Sequence, residues 1–277
     1  MEEEKTLYIE LFQPFAQYRN PFTFYYAQSY PLPPRSTIIG MLQNATNEYY
    51  DTAFWDLKVS IHGGFETVFW DYQNLIKGDV AVWDNCGKIE LRNQKRPLYG
   101  RGLKSQRTPV YQQELFNGRL FLFIRGKSDL IDKIEKAFKS PKKILSLGRS
   151  EDIIFIKDVH EIKKDELNTK IVKRDLWIRY PMYILKRMTK YNEFPIRNEK
   201  YPIFSIPTKV LFKNKEKTIK TKGELSRTTE REVKFAPVIY TGYDYVLYLK
   251  NSIEVEECII NKKKFKIPSK WGWICDN

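Results

Sequence analysis

The stretch Arg119-Leu-Phe-Leu-Phe-Ile-Arg-Gly-Lys-Ser-Asp-Leu-Ile-Asp-Lys-Ile-Glu-Lys-Ala-Phe-Lys139 changes its period halfway along. Arg119 to Arg125 alternates, with Leu120, Leu122 and Ile124 facing one way, as a strand does. From Asp129 to Lys139 the apolar residues Leu130, Ile131, Ile134 and Phe138 recur at helical spacing. Ser128 stands where an N-cap belongs. Acids occupy the first turn and Lys136 and Lys139 the last, as a helix dipole prefers. Pro141 ends the helix. A strand running into a helix is half of a mixed unit, and the rest of the chain reads outward from it.

Upstream, Thr6 to Phe12 predicts a half-buried strand, with Leu7, Ile9 and Leu11 on one face and Tyr8, Glu10 and Phe12 on the other. Tyr30-Pro-Leu-Pro-Pro-Arg-Ser-Thr-Ile-Ile-Gly40 leads into a helix capped by Ser36, whose buried face holds Ile38, Ile39, Leu42, Ala45 and Tyr49. Gly40 inside it costs stability unless something must approach closely. Leu57 to Phe69 is a second strand region, interrupted or bulged at Gly63-Gly64. Downstream, Ile153 to Val159 is a fourth strand. The order strand, helix, strand, strand, helix, strand is the ferredoxin-like plan, shared with RNA-recognition (RRM-like) domains. This α+β class is expected over residues 1–165.

The residues after 165 predict a small, mainly β second domain, 166–277. Pro181 starts a short helix through Met188, and Ile203 to Phe212, Val238 to Leu249 and Ile253 to Ile260 read as strands. Lys213 to Lys234 is a loop of mixed charge. Trp271 and Trp273 are expected to dock onto the core.

Between the second and third strands lies Arg92-Asn-Gln-Lys-Arg-Pro-Leu-Tyr-Gly-Arg-Gly-Leu-Lys-Ser-Gln-Arg107, with no carboxylate between Glu90 and Glu114. Arg92, Lys95, Arg96, Arg101, Lys104 and Arg107 repel one another there and gain only when a polyanion arrives. Tyr99 adds a flat ring of the kind that stacks on a base. An isolated basic run of this kind is ordinarily a solvated loop. Here it sits in the one strand pair joined as a hairpin, so it reads as a basic β-hairpin insertion, a thumb of about residues 85–117.

The net charge of +14 points the same way, toward nucleic acid. Hydrophobic content of 42% supports a core, and 15% of residues are aromatic. No run of eighteen apolar residues occurs, and the acidic N-terminus lacks the apolar stretch of a signal peptide, so no membrane role and a cytoplasmic location are expected. Cys86, Cys258 and Cys275 are odd in number and widely spaced, which suggests reduced thiols.

Catalytic and metal motifs fail. Arg125-Gly-Lys-Ser128 ends like a phosphate-binding loop, but its first glycine would fall at Phe121. His62 and His160 are not at ligand spacing, and His160 is expected to pair with Glu161 at the surface. No cofactor or metal is implied. Phe121 and Phe123 read as packing residues rather than base platforms. Two short stretches do carry anion chemistry. Arg35, Ser36 and Thr37 stand at a helix N-terminus, and Gly148, Arg149 and Ser150 lie on the loop before the fourth strand.

Pro-Pro-Arg-Ser-Thr-Ile-Ile-Gly40, Thr108-Pro-Val-Tyr-Gln-Gln-Glu114 and Leu147-Gly-Arg-Ser-Glu151 together resemble the CRISPR-associated Cas-five family, over roughly the first 160 residues. The resemblance implies a non-catalytic RNA-binding subunit of the antiviral Cascade ribonucleoprotein complex that caps the 5′ handle of the CRISPR RNA (crRNA). It implies that the insertion is the family's thumb, and that the partners are the backbone subunit and the large, PAM-reading subunit. Target DNA is then met only through the complex, and length suggests subtype I-B. One branch of the family instead cuts repeat RNA without metal, using a tyrosine beside a lysine and a histidine. Tyr49 or Tyr50 is a candidate tyrosine, but this sequence has no Lys-His pair.

Overall fold

The computed structural model describes residues 4–23, 26–49, 51–76, 79–82, 89–92, 107–186, 195–197, 201–212 and 231–275. The mixed period of the quoted stretch becomes β6 (Arg107–Lys127) running into α2 (Ser128–Lys139), and β6 organises the main sheet. One edge of it pairs antiparallel with β1 (Glu4–Ala16), Leu7 opposite Ile124. The other edge pairs antiparallel with β3 (Lys58–Ile76), Val59 opposite Ile124. β1 in turn pairs with β7 (Phe155–Ile162), so the strands lie β3-β6-β1-β7, all antiparallel. The two-residue β2 (Tyr26–Ala27) adds parallel to β6 at Tyr111 and Gln112.

α1 (Arg35–Thr46) and α2 are the α-helices of the described residues, and both cover one face of this sheet. Leu7, Ile9, Leu11, Leu120, Leu122, Ile124, Val59 and Ile61 meet Ile38, Ile39 and Leu42 of α1 and Ile131, Ile134 and Phe138 of α2. The alternation of three strands supplies one wall and the 3.6-residue period of two helices the other. Neither helix start uses its serine as predicted. Pro34 takes the N-cap position of α1 and Lys127 that of α2, with no side-chain cap, so Ser36 and Ser128 are already inside their helices. Tyr49 lies beyond the end of α1 and is exposed rather than part of its buried face.

β1 is buried on both faces, not one. The C-terminal strands β14 (Ile253–Ile260) and β15 (Lys263–Pro268) form a hairpin whose Cys258, Ile260, Phe265 and Ile267 pack on Tyr8, Phe121 and Phe123. Phe265 holds its ring 5.1 Å from Phe123 and 5.2 Å from Phe121. The sheet face that an open RNA-recognition domain would offer to bases is therefore filled by this chain's own residues, and Phe121 and Phe123 are packing residues as expected. Trp273 docks in the same cluster beneath the Arg125 guanidinium, 4.1 Å from its ring, while Arg125 also forks onto Glu256. Burial pushes the Cys258 thiol up to about 12.

β8 (Asn168–Val172) joins the other side of β14. β9 (Asp175–Ile178) pairs with β13 (Tyr245–Tyr248), and β10 (Tyr183–Leu185) and β11 (Ile203–Phe212) flank β12 (Arg231–Tyr240). Where a helix was predicted from Pro181, the chain is β10, because Tyr183–Leu185 is needed as an edge partner for β12. The predicted strand from Val238 to Leu249 is two strands, split where Asp244 turns with φ of 46°. Tyr183, Leu185, Ile206, Val238 and Ile274 join the same apolar core as α1 and α2.

Gly63-Gly64 neither interrupts nor bulges the strand. The β3–β6 register runs unbroken from Lys58↔Arg125 to Ile76↔Arg107. Gly63 is required instead by its φ of +114° and by Arg119, whose carbonyl oxygen would lie 2.0 Å from an added Cβ. Beside it His62 is buried, with Nε2 2.9 Å from Ser60 Oγ, and burial pushes its imidazole down to about 3 from an ordinary 6.5. The folded state thus holds the ring neutral while the unfolded chain binds a proton below pH 6.5. This group's contribution to stability is complete above pH 6.5 and is lost as pH falls toward 3. We expect the urea midpoint to fall across that window and a His62→Gln variant to fall less. An equal fall in both would remove His62 as a cause.

Candidate nucleic-acid interface

The β3–β6 pairing runs on past β1, which ends at Ala16 opposite Leu115, and past β2 at Tyr111 and Gln112, and becomes a two-stranded ribbon from Gln73↔Val110 to Ile76↔Arg107. Beyond it β4 (Asp79–Val82) pairs with β5 (Ile89–Arg92). The hairpin insertion thus begins well before residue 85, because β3 is 19 residues long rather than ending at Phe69. Arg92 closes β5 and Arg107 opens β6, so the carboxylate-free stretch is carried between two paired strands. Lys95, Arg96, Tyr99, Arg101 and Lys104 lie outside the described residues.

The β3–β6 hairpin also presents aromatic surface that alternation alone did not reveal. Tyr26, Trp70, Tyr72 and Tyr111 are all close to half exposed or more. Tyr26 stacks on Tyr111 at 5.9 Å and 17°, Trp70 meets Tyr26 edge-on at 6.2 Å, and Tyr72 meets Tyr111 at 5.4 Å. Its signal in the sequence is Phe69-Trp-Asp-Tyr72, which a strand with one solvated face should not contain.

At the start of α1 the three predicted contacts separate. Arg35 is fully buried, and its guanidinium donates to the carbonyls of Thr208 (2.8 Å), Trp55 (2.5 Å) and Leu57 (2.8 Å). It ties α1 to the short turn Thr52–Asp56 and to β11, so it is a scaffold cation and not the surface phosphate contact read from the sequence. Ser36 and Thr37 instead line a cleft of about 350 Å³ with Gly40, Asn44, Ser146 and Gly148. Gly40 faces open space there, and no atom would meet an added Cβ. No side chain must approach it, so its helical cost is not explained by packing.

The loop carrying Gly148 is held from below. Gln13 donates to the carbonyls of Leu147 (2.7 Å) and Asp152 (3.2 Å), and Asp152 accepts from the backbone of Gln17 and Arg149. Gly148 has φ of +112°, and an added Cβ would lie 2.8 Å from Asp152 Oδ2. The Arg149 guanidinium is bidentate on Glu114 at 2.6 and 2.7 Å and also reaches Asp152 at 2.7 Å. Burial works against its charge, but the bonds to Asp152 and Glu114 outweigh it and hold its pKa above the usual guanidinium range. A phosphate would have to displace two buried carboxylates, so Arg149 braces the loop. Ser150 is exposed and donates to Glu151. His160 pairs with Glu166 at 3.3 Å instead of Glu161, which accepts from Lys5.

Next to the cleft, the Tyr49 hydroxyl donates to Asn44 Oδ1 at 2.7 Å and accepts from Lys143 Nζ at 3.0 Å. Lys143 is 94 residues away in sequence, so no local motif could have paired the two. Tyr50 lies outside the described residues.

Among the described residues, a mainly β chain with two α-helices on one sheet face and a long β3–β6 hairpin is the class that these features define. The family profile described as CRISPR-associated protein (Cas_Cas5) matches residues 6–225, and the chain belongs to that family. Among solved structures the chain is similar to a chain of a "CRISPR RNA-guided surveillance complex", at 13% identity and TM-score 0.49, over 89% of this chain and 91% of that one. It is also similar to a CRISPR protein from Archaeoglobus fulgidus, at 9% identity and TM-score 0.42, over 95% and 98% of the two chains. A comparison with curated proteins gives no match.

Proposed function

We propose that this chain is a non-catalytic, RNA-binding subunit of a type I CRISPR Cascade effector that holds the 5′ handle of the crRNA. The observation that carries this reading is the long β3–β6 hairpin ending at Ile76 and Arg107, with the carboxylate-free stretch Arg92–Arg107 continuous with it in sequence, in a member of this family. Cations there neutralise phosphates. The exposed rings of Tyr26, Trp70, Tyr72 and Tyr111 offer flat faces for unstacked bases. Ser36, Thr37, Gly148 and the first turn of α1 offer hydroxyl and N–H donors to a sugar or phosphate. The strand order β3-β6-β1-β7 supports the ferredoxin-like reading of the sheet. The backbone subunit and the large PAM-reading subunit are the proposed protein partners, and subtype I-B the proposed branch. A fluorescent RNA of the host's repeat-derived 5′ handle tests the reading. It should bind more tightly than a scrambled RNA of equal length, and equal affinity would sink it.

The second reading, metal-independent cleavage of repeat RNA, is favoured by one observation, the Lys143–Tyr49–Asn44 contact. Such cleavage needs a base for the ribose 2′-hydroxyl and a cation for the phosphorane, and the Tyr49 oxygen and the Lys143 ammonium are the groups available. We expect no site-specific cleavage of repeat RNA in EDTA. One discrete cut, abolished in Tyr49→Phe, would move the chain to the nuclease branch.

A further inference from the structure

Among the described residues β7 pairs only with β1, so its outer edge is the edge of the main sheet. Just before it the chain closes on itself, with Ser146 bridging Ile153 and the Ile154 N–H donating to Leu145. From Phe155 onward that backbone closure stops. An open groove of about 1050 Å³ takes its place, between β7 and the segment that follows α2. Its apolar lining is uncovered, Ile144 being 76% exposed, Phe155 51% and Ile153 40%. Lys139, Lys142, Lys143 and Lys157 also line it with the carboxylate Asp158. Lys139 pairs with Glu135 at 2.7 Å and Lys143 donates to Tyr49, which leaves Lys142 and Lys157 as the remaining cations of the groove.

On either side of the bulge at Lys157, the open β7 edge is a row of N–H and C=O groups at a repeat of about 3.3 Å, which a second strand matches and a phosphate backbone does not. Lysines beside such an edge discourage a neutral or cationic strand, including β7 of a second copy, which would bring Lys157 against itself. The same lysines attract an acidic one. We propose that this groove receives an extended, acidic segment of a partner protein, which adds to β7 as a further strand. Its alternate apolar side chains would lie over Ile153 and Phe155 on one face of the sheet, and its carboxylates on the other would meet the lysines of the segment that follows α2, with Lys142 beside Ile144. This inference is independent of the RNA reading.

The probe is a fluorescent peptide (Glu-Val)4, long enough to lie along β7, titrated into the full-length protein. Saturable binding is expected, with slowed amide hydrogen exchange confined to the Phe155–Val159 edge. A peptide N-methylated at alternate amides should fail to bind, because it cannot complete the ladder. Ile144→Asp and the pair Lys142→Glu and Lys157→Glu, all surface changes, should each weaken binding at least tenfold. Should a variant unfold, the N-methylated peptide on the unaltered protein still decides. Equal binding of that peptide, protection elsewhere, an octameric oligouridylate that protects these amides in its place, or an edge already covered by a dimer would each overturn the proposal.

Discussion

Replacing Arg96, Arg101, Lys104 and Arg107 together by alanine should cut the salt slope of single-stranded RNA binding by about 2.8, since each phosphate no longer neutralised by a cation takes away about 0.7. At low salt the affinity should fall steeply, because each cation releases a condensed counter-ion when it binds. Folding should be spared. Arg107 contributes its backbone to the first residue pair of the ribbon, opposite Ile76, and alanine keeps that backbone. Changing Tyr99 to alanine should cost about 1–3 kcal/mol if its ring stacks on a base, with little change in slope. A fourfold variant that binds with the unaltered salt dependence would make the stretch a solvated loop.

Arg35→Ala should do the opposite, destabilising the protein without changing the salt slope of RNA binding. Three buried carbonyls, of Thr208, Trp55 and Leu57, are deprived of their charged donor. Each buried acceptor left unpaired costs about 1–3 kcal/mol, so destabilisation by at least about 3 kcal/mol is expected. For a chain of this size that corresponds to a fall in Tm of roughly 6–12 °C. Arg35→Lys should recover only part, since an ammonium cannot fork to three carbonyls on two elements. A variant that keeps its Tm while its salt slope drops by about 0.7 would return Arg35 to the phosphate interface.

The two arginines mark the boundary of what the sequence makes legible. Periodicity found β1, α1, β6 and α2 because each has one face whose partner is apolar, and period reports that directly. It placed Arg35 and Arg149 at a helix start and on a glycine loop, which are anion-binding positions in general. What occupies those cations lies far off in sequence: Thr208 for Arg35, and Glu114 for Arg149. The second face of β1 failed for the same reason. Tyr8 reads as the solvated side of a strand until Phe265, from the far end of the chain, closes over it. Gly63-Gly64 looked like a bulge because paired glycines usually relax a strand, whereas here one glycine lets β6 approach without breaking register. The hairpin's length was hidden because its burial from Val68 on follows no period: Val110 and Leu115 are buried while Val68, Trp70, Tyr72 and Tyr111 stand exposed.

As proposed above, this chain holds one defined end of a guide RNA. Purifying it with whatever RNA it carries from its native host, and sequencing both ends of that RNA, tests the claim most directly. Short RNAs that share a single repeat-derived 5′ end and differ downstream are expected. A population of unrelated RNAs without a common 5′ end would contradict that claim.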